Sequence, residues 1–424
     1  MAAESHHSEL VASGERLQSR IDRLAEISQP GRGVSRLAYS HDERAAHDLV
    51  SQWFAEAGCA VTTDPAGNTI AEREGTEQGL GALGAGSHLD SVYCGGAYDG
   101  IVGVVAGLEI AQLLHEAGAA TRHPLRFVAF AGEEGARFGQ ACIGSKLAAG
   151  MTSLEDLEAL TDRDGIALIK AMSYLGFDPE RATTEPWRAR DWSAFLELHI
   201  EQGSVLEKTG AEVGIVDMIS GSTRLQFILS GVPSHTGGTP MQGRADALAA
   251  AAECVLIAEA LASDVEHRGT RATVGKLDVD PNSITTIPGR VTFSLDVRDI
   301  DADRQRAAAS FIAQQALEVC TRRGVRMELE VLADTSPVIL PTLIREQTSD
   351  AARVRETSYR VLTSGASHDA QMINTIVPTG LIFIPSRNGG LSHVPDEFST
   401  SEDIAVGTNV LLETLLNLDS NLSN

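Results

Sequence analysis

The stretch Gly86-Ser-His-Leu-Asp-Ser-Val-Tyr-Cys-Gly-Gly-Ala-Tyr-Asp-Gly100 places an imidazole, His88, and a carboxylate, Asp99, on either side of a glycine-rich turn. The small and apolar residues 83–89 predict a short buried strand, and residues 101–114 have the length and spacing of a packed helix. His88 then ends a strand and Asp99 precedes a helix, at the edge where open α/β sheets bind ligands. The stretch alone leaves two interpretations open: a metal site, or a hydrogen-bonded surface histidine beside a helix N-cap.

Two further strands carry polar residues to their ends. Residues 124–131 predict a buried strand that runs into Glu133 and Glu134. A strand, a helix and a second strand in this order favour a right-handed crossover between parallel strands, so we expect these carboxylates at the same sheet edge as the first histidine. A third strand, 194–200, has His199 near its end. The pattern predicts an α/β domain with a mainly parallel sheet.

The segment 213–333 has a different pattern. It predicts strands at 223–229, 273–279, 290–298 and 326–332 and helices at 245–262 and 304–323. Largely antiparallel strands with two helices on one face form a two-layer α+β sandwich of the ferredoxin-like kind. We therefore assign residues 1–212 and 334–424 to the α/β domain and residues 213–333 to an inserted domain. The spacing within the inserted domain indicates no cluster of metal ligands.

Composition limits the class of protein. At 424 residues the chain is long enough for two domains. Its 34 Lys and Arg against 58 Asp and Glu give a net charge of −24, which disfavours a nucleic-acid or anionic-membrane partner. The five cysteines contain no C-x-x-C pair, which is typical of a reducing compartment. With neither a signal peptide nor a transmembrane run in the pattern, we expect a cytoplasmic protein.

Five residues at strand ends or in adjoining loops could hold metal ions: His88, Asp99, Glu134, His199 and His393. Nitrogen and hard oxygen ligands without sulfur suit zinc, and equally manganese, cobalt or nickel. Two ions that share the Asp99 carboxylate would have three protein ligands each and room for water between them. Glu133, adjacent to a ligand, is the candidate general base and acid. For Glu133 and Glu134 taken alone, the alternative is a helix N-terminus that favours acidic residues.

The ordered motifs carry a resemblance over nearly the whole chain. They read GSHLDS, GGAYDG, GEEGARF, ELHIEQG, PSHTGGTPM, RADAL, LDVRD, SHDAQ and SHVPDE. This set resembles the hydantoinase/carbamoylase amidases, which belong to the di-metal aminoacylase and carboxypeptidase superfamily. That family includes N-carbamoyl-L-amino-acid hydrolases, β-ureidopropionases and allantoate amidohydrolases. The resemblance implies one metal held by His88, Asp99 and His199, a second held by Asp99, Glu134 and His393, and Glu133 as the base.

The resemblance also implies roles for residues outside the metal set. His235 would donate a hydrogen bond to the developing oxyanion, on domain closure or across a dimer. Asn282 and Arg298 would bind the substrate carboxylate, and Gln202 and Gly365 would also contact the substrate. The inserted domain would serve as a lid and a dimerisation domain.

The residues of the inserted domain have simpler alternatives. His235 could cap the turn that follows it, and Arg298 could pair with Asp296 or Asp299.

On this resemblance we expect a homodimeric amidohydrolase with two divalent metal ions per subunit. Its substrate would be an N-carbamoyl amino acid, whose ureido C–N bond is cleaved to give the amino acid, ammonia and carbon dioxide. One alternative is allantoate or another N-acyl amino acid as substrate. An alternative of another class is a catalytically silent metal-binding scaffold on the same fold, which the presence of Glu133 and all five ligands disfavours.

Overall fold

The computed structural model describes residues 10–422, so residues 1–9 and 423–424 of the predicted α/β domain lie outside the described residues. The described chain divides into two compact units. The boundaries between them lie at Asp217/Met218 and at Val338/Ile339. The first unit contains the two terminal portions of the chain, and the inserted unit is Met218–Val338. The prediction placed the insertion at 213–333. Residues 213–217 belong to the first unit because they form part of a strand of its sheet.

The strands, in chain order, are β1 (Ala60–Thr63), β2 (Thr69–Arg73), β3 (Ala82–His88), β4 (Leu125–Phe130), β5 (Trp192–Ile200), β6 (Val213–Ile219), β7 (Gly221–Ser230), β8 (Ser234–His235), β9 (Arg271–Thr273), β10 (Leu277–Asp280), β11 (Thr286–Ile287), β12 (Arg290–Asp299), β13 (Arg326–Thr335), β14 (Val338–Ile339), β15 (Tyr359–Ser364) and β16 (Thr379–Ile384).

The α-helices are α1 (Gly14–Ala25), α2 (His41–Glu56), α3 (Ile101–Glu116), α4 (Ile143–Ala148), α5 (Leu154–Ala159), α6 (Leu168–Tyr174), α7 (Pro179–Thr184), α8 (Val205–Thr209), α9 (Ala247–Ser263), α10 (Ala302–Arg323), α11 (Thr342–Val354), α12 (Asp369–Ile373) and α13 (Ser401–Asn421). Within residues 10–422, none of these helices combines the length and the apolar composition needed to cross a lipid bilayer.

The first unit is built on a large sheet with the order β1-β2-β4-β3-β5-β16-β6-β14, in which β15 also pairs with β6. Its central strands β4, β3, β5 and β16 are parallel, and β1, β2 and β6 pair antiparallel. The predicted α/β class is confirmed, with a sheet that is parallel in its centre and mixed at its edges. Every residue of β3 is buried, as expected of a strand covered on both faces.

Helix α3 packs against the centre of this sheet, and its sequence explains why. It is apolar around almost its whole circumference, with 13 of its 16 residues buried. Close approach depends on Gly103, where a Cβ atom would lie 2.3 Å from the carbonyl oxygen of Leu198 on β5. The helix begins at Ile101, two residues after Asp99, so its packing against the sheet places Asp99 near the strand ends.

The inserted unit is an antiparallel sheet, β10-β12-β7-β13 with β9 beside β12, which shares one core with α9 and α10. Along β12 the buried residues alternate with half-buried ones, so only one sheet face meets the helices. The stacked rings of Phe227 and Phe293, 4.7 Å apart, lie in this core. The segment 273–279, which was predicted as one strand, is two strands, β9 and β10. An extra residue between their pairings with β12 forms a bulge there.

Gly103→Ala tests the helix–sheet contact. The added methyl group meets a backbone oxygen that cannot move away, so we expect the free energy of unfolding to fall by about 1–3 kcal/mol in urea titrations. Gly107→Ala, one turn along the same helix, is the matched control. Its Cβ atom would meet only the edge of the Phe127 ring at 3.1 Å, and its unfolding free energy should stay within about 1 kcal/mol of wild type. Equal destabilisation of the two variants would show that the close contact of Gly103 with β5 has no special effect on stability.

Candidate active site

Three predicted ligands meet at the carboxyl end of the parallel strands. His88 is the last residue of β3, His199 lies near the end of β5, and Asp99 precedes α3. One carboxylate oxygen, Oδ1 of Asp99, lies 3.5 Å from Nε2 of His88 and 3.1 Å from Nε2 of His199. All three side chains are buried. Gly100, and not Asp99, occupies the N-cap of α3, so the helix-cap alternative for Asp99 is excluded.

The other oxygen of Asp99 faces a second group. Its Oδ2 lies 3.5 Å from Nε2 of His393, and the same nitrogen lies 3.1 Å from Oε1 of Glu134. The ligand atoms within each group of three lie within 4.8 Å of one another. Asp99 therefore stands between two sets of possible ligands and offers one oxygen to each.

The tautomers of the buried histidines fit a bound cation. Nδ1 of His88 faces the carbonyl oxygen of Asp90 at 3.2 Å, and Nδ1 of His199 faces that of Ile200 at 2.9 Å. A carbonyl oxygen only accepts hydrogen bonds, so each Nδ1 bears a proton and each ring turns its Nε2 toward Oδ1 of Asp99. Two imidazole Nε2 atoms and a carboxylate that converge in this way form a donor set that suits a divalent metal ion.

The surplus of negative charge around the imidazoles also indicates a cation site. Burial lowers the pKa of His393, but the charge of Glu134 and hydrogen bonds to Asp99 outweigh it and raise that pKa to about 11. Burial has the opposite effect on the carboxyl group of Asp99, whose pKa it raises, but the three histidines hold that pKa well below its usual range. The carboxylates thus demand positive charge at this point, which protons or bound cations can supply.

Glu133 lies beside the ligands without joining either group. Its Oε2 is 4.0 Å from Nε2 of His88, and its Oε1 accepts a hydrogen bond from the Cys142 thiol at 3.0 Å. Burial raises the pKa of Glu133 to about 7, with the charge of His88 opposing the rise and that of Glu134 adding to it. A carboxyl group with a pKa near neutrality suits a general base. Glu133 and Glu134 lie in the loop between β4 and α4, so the helix-N-terminus alternative is wrong.

Two carboxylates that the sequence analysis left without a role support the ligands. Asp90 accepts hydrogen bonds from the backbone N–H groups of Glu133 and Glu134, both at 2.9 Å. Glu397 accepts from the N–H groups of Tyr98 and Asp99 through Oε1, and from the Ser392 hydroxyl and the His393 N–H through Oε2. Both residues stand in quoted motifs, which was the only signal that could have indicated them.

A third convergent group lies behind His199. It comprises Glu197, His199 and His368, and the rings of the two histidines meet edge to face at 4.5 Å. Glu197 already accepts hydrogen bonds from the Ser87 hydroxyl and from the N–H of Ala370. Its oxygens are therefore engaged by the protein, and this group holds the His199 ring from behind.

The predicted substrate residues of the first unit have different surroundings. Gln202 donates from Nε2 to Oδ2 of Asp99 at 2.6 Å, in a left-handed backbone conformation with φ 53°. Its Oε1 is buried and has no hydrogen-bond partner among residues 10–422. Gly365 is half-buried in the loop after β15. Contact of either residue with substrate stays a prediction.

His235, Asn282 and Arg298 belong to the inserted unit. Nδ1 of His235 accepts the N–H groups of Gly237 and Gly238 at 3.1 and 3.0 Å, so this histidine does cap its turn and bears its proton on Nε2. Arg298 pairs with Asp296 at 3.0 Å. Asn282 lies exposed in the loop between β10 and β11, with a left-handed φ of 51°. The alternatives foreseen for His235 and Arg298 are thus present, and an exposed Nε2 donor remains on His235.

Comparison with known proteins gives consistent matches. Residues 85–417 match the family model described as Peptidase family M20/M25/M40. The chain is 42% identical over 410 residues to the N-carbamoyl-L-amino acid amidohydrolase of Geobacillus stearothermophilus, covering 96% of this chain and 99% of that protein. It is 34% identical over 409 residues to the ureidoglycolate hydrolase of Arabidopsis thaliana, covering 95% and 86%. The crystal structure of a hydantoinase/carbamoylase family amidase from Burkholderia vietnamiensis superposes with a TM-score of 0.90 at 34% identity, covering 96% and 98%.

Glu397→Ala tests whether ligand geometry depends on the carboxylate behind it. The change removes the acceptor shared by the segments that carry Asp99 and His393, so we expect metal affinity to fall about 10- to 100-fold in competition titrations with a chromophoric chelator. Asp396→Asn is the matched control, because that neighbouring carboxylate pairs with Arg32 on the surface. Unchanged affinity in Glu397→Ala would show that the ligands hold their positions without it.

Proposed function

Because this chain belongs to peptidase family M20/M25/M40, we propose that it is an amidohydrolase that cleaves the carbamoyl C–N bond of N-carbamoyl-L-amino acids. The observation that carries the proposal is Asp99 standing between two ligand groups with Glu133 beside them. The name of the 42%-identical relative supports this substrate class. The products are the free amino acid and a carbamate, which decomposes to ammonia and carbon dioxide.

The family is metal-dependent, and the donor set fits two divalent ions, zinc or equally manganese, cobalt or nickel. His88, Asp99 and His199 would hold one ion, and Asp99, Glu134 and His393 the other. When bound, such ions polarise a carbonyl group and lower the pKa of a water molecule. Gln202 holds Asp99 in its shared position through the hydrogen bond to Oδ2.

Glu133 moves the proton in the proposed reaction. Its carboxylate takes a proton from the attacking water as the new C–O bond forms. The same carboxyl group then gives the proton to the amino nitrogen of the departing amino acid as the C–N bond breaks. Burial, which raises its pKa to about 7, keeps both directions of transfer accessible near neutral pH.

The inserted unit supplies substrate contacts in this proposal. His235 presents Nε2–H to the developing oxyanion, since its Nδ1 is engaged by two backbone N–H groups. Arg298 and Asn282 bind the substrate carboxylate, and the pair with Asp296 orients the guanidinium group. We further propose that Gln202 and Gly365 contact the substrate, that the protein is a cytoplasmic homodimer joined through the inserted unit, and that this unit closes as a lid.

A second candidate is the same hydrolysis acting on ureidoglycolate, allantoate or another N-acyl acid. It is favoured by the 34% identity to a ureidoglycolate hydrolase. These substrates share a ureido or amide C–N bond and a carboxylate, so the same metal ligands and base would serve. A silent scaffold is disfavoured because Glu133 is present, buried and directed at the ligand groups.

A substrate panel separates the candidates. Metal-loaded protein is incubated with N-carbamoyl, N-formyl and N-acetyl amino acids, allantoate and ureidoglycolate, and products are quantified by mass spectrometry. We expect the highest kcat/KM with an N-carbamoyl-L-amino acid, and loss of activity after chelation until metal is restored. Preference for another member of the panel would replace the proposed substrate. Turnover by protein shown to be metal-free by elemental analysis would refute the hydrolytic mechanism.

Glu133→Gln tests the proton carrier. The amide cannot accept the proton, so kcat should fall by roughly two to four orders of magnitude while metal content stays at the wild-type level. Glu134→Gln is the matched control one residue along, and it should lose metal because it weakens a ligand. The reverse pattern, with metal lost from Glu133→Gln, would mean that ligand and base are exchanged.

His235→Ala and Arg298→Ala test the inserted unit by steady-state kinetics on one good substrate. His235→Ala removes a hydrogen-bond donor that is needed mainly when the oxyanion forms. It should therefore lower kcat by about a hundredfold or more with little change in KM. Arg298→Ala should mainly raise KM, because substrate and transition state both contain the carboxylate. Arg306→Ala, which removes an exposed arginine paired with Asp334 in the same unit, is the control. Near-wild-type parameters for both test variants would place the specificity residues elsewhere.

A further inference from the structure

Three consecutive backbone N–H groups hold the loop that carries Glu133. The Gly132 N–H donates to Oε1 of Glu43 at 2.7 Å, and the next two N–H groups donate to Asp90. Both acceptors lie outside the loop, Glu43 in the first turn of α2 and Asp90 just after β3. The path of the loop, and with it the direction of its two carboxylates, is therefore set by side chains from two other elements.

Glu43 is more than a helix cap. It lies three residues after the N-cap Ser40, whose hydroxyl accepts the Glu43 N–H at 3.2 Å. A glutamate at this position ordinarily returns its side chain to the N-cap N–H. Here the Ser40 N–H bonds to the Leu37 carbonyl instead, Oε2 of Glu43 accepts the Tyr39 N–H, and Oε1 extends to Gly132. The helix thus uses one oxygen of Glu43, and the loop uses the other.

The packing around Gly132 makes this hydrogen bond sensitive to side-chain length. Gly132 has a left-handed φ of 64°, and a Cβ atom there would lie 2.8 Å from the Tyr39 ring. Tyr39 itself has φ 52° and donates its hydroxyl to the carbonyl oxygen of Ala66. Glu43 is 2% exposed, so water cannot readily replace its oxygen at Gly132.

We infer that Glu43 is a positioning residue for the general base, an inference that rests on the proposed function of Glu133. Glu43 acts through the Gly132 backbone and bonds to neither Glu133 nor a metal ligand side chain. Displacement of Gly132 moves the next residue along the chain, and an error of about 1 Å in a reacting group can cost a hundredfold in rate.

The test is Glu43→Asp, which keeps a carboxyl group at the helix N-terminus but shortens the reach to Gly132 by one methylene group. We expect kcat to fall about 10- to 100-fold with KM within about threefold of wild type and with metal content unchanged. Ser40→Ala is the matched control. It removes the hydroxyl cap of the same helix, so it should lower Tm and leave kcat within about twofold of wild type.

Glu43→Gln keeps the reach and should recover part of the lost kcat, which also guards against a Glu43→Asp protein that does not fold. Hydrogen exchange of the peptide that contains residues 131–135 gives a readout independent of turnover. Exchange there should be faster in Glu43→Asp than in Ser40→Ala.

Wild-type kcat and exchange in folded Glu43→Asp, an equal loss of kcat in Ser40→Ala, or full rescue of kcat by excess metal would each overturn the inference. If wild-type protein turns over no member of the substrate panel, the proposed function fails, and the exchange data still decide whether Glu43 holds the loop.

Discussion

The structure depends on one buried carboxylate, Asp99, whose two oxygens face different groups of candidate metal ligands. A buried charge needs both opposite charge and hydrogen bonds. The parallel strands supply the charge partners, since β3 and β5 end side by side with a histidine near each end. Glu397 and Gln202 supply the hydrogen bonds that hold the Asp99 segment in place. The order and direction of the strands therefore determine the geometry of the candidate active site.

A second layer of buried charge lies beneath this centre. Arg36 is fully buried and donates to the carbonyl oxygens of Leu24, Ile27 and Leu89, and burial lowers its pKa to about 10 despite the nearby charges of Asp90 and Glu43. The guanidinium group lies near those two carboxyl groups, which in turn accept the backbone N–H groups of residues 132–134. Removing one member would leave the others buried without compensation, which is why such layers are sensitive to substitution.

The sequence indicated residues whose chemistry is visible in their type and position. His88 and His199 stand at the ends of strands with an evident apolar pattern, and parallel pairing brings them together. Asp90 and Glu397 were not predicted because they accept backbone N–H groups, a role that depends on where distant loops pass. The bulge between β9 and β10 was missed for a similar reason. The pairing of both strands with β12 reveals it, and Gly275 between them was only a weak local signal.

Glu133 and Glu134 show how neighbours of the same type acquire different chemistry. Their N–H groups share one acceptor, Asp90, while their side chains diverge. Glu134 approaches Nε2 of His393 to 3.1 Å, whereas Glu133 stays 4.0 Å from Nε2 of His88. The Cys142 thiol occupies Oε1 of Glu133, and the Cys142 N–H holds its carbonyl oxygen. A ligand must give its lone pair permanently to a cation, but a base must keep it for a proton. In the proposed reaction, the contacts that hold Glu133 back from the histidines keep its carboxylate available for proton transfer.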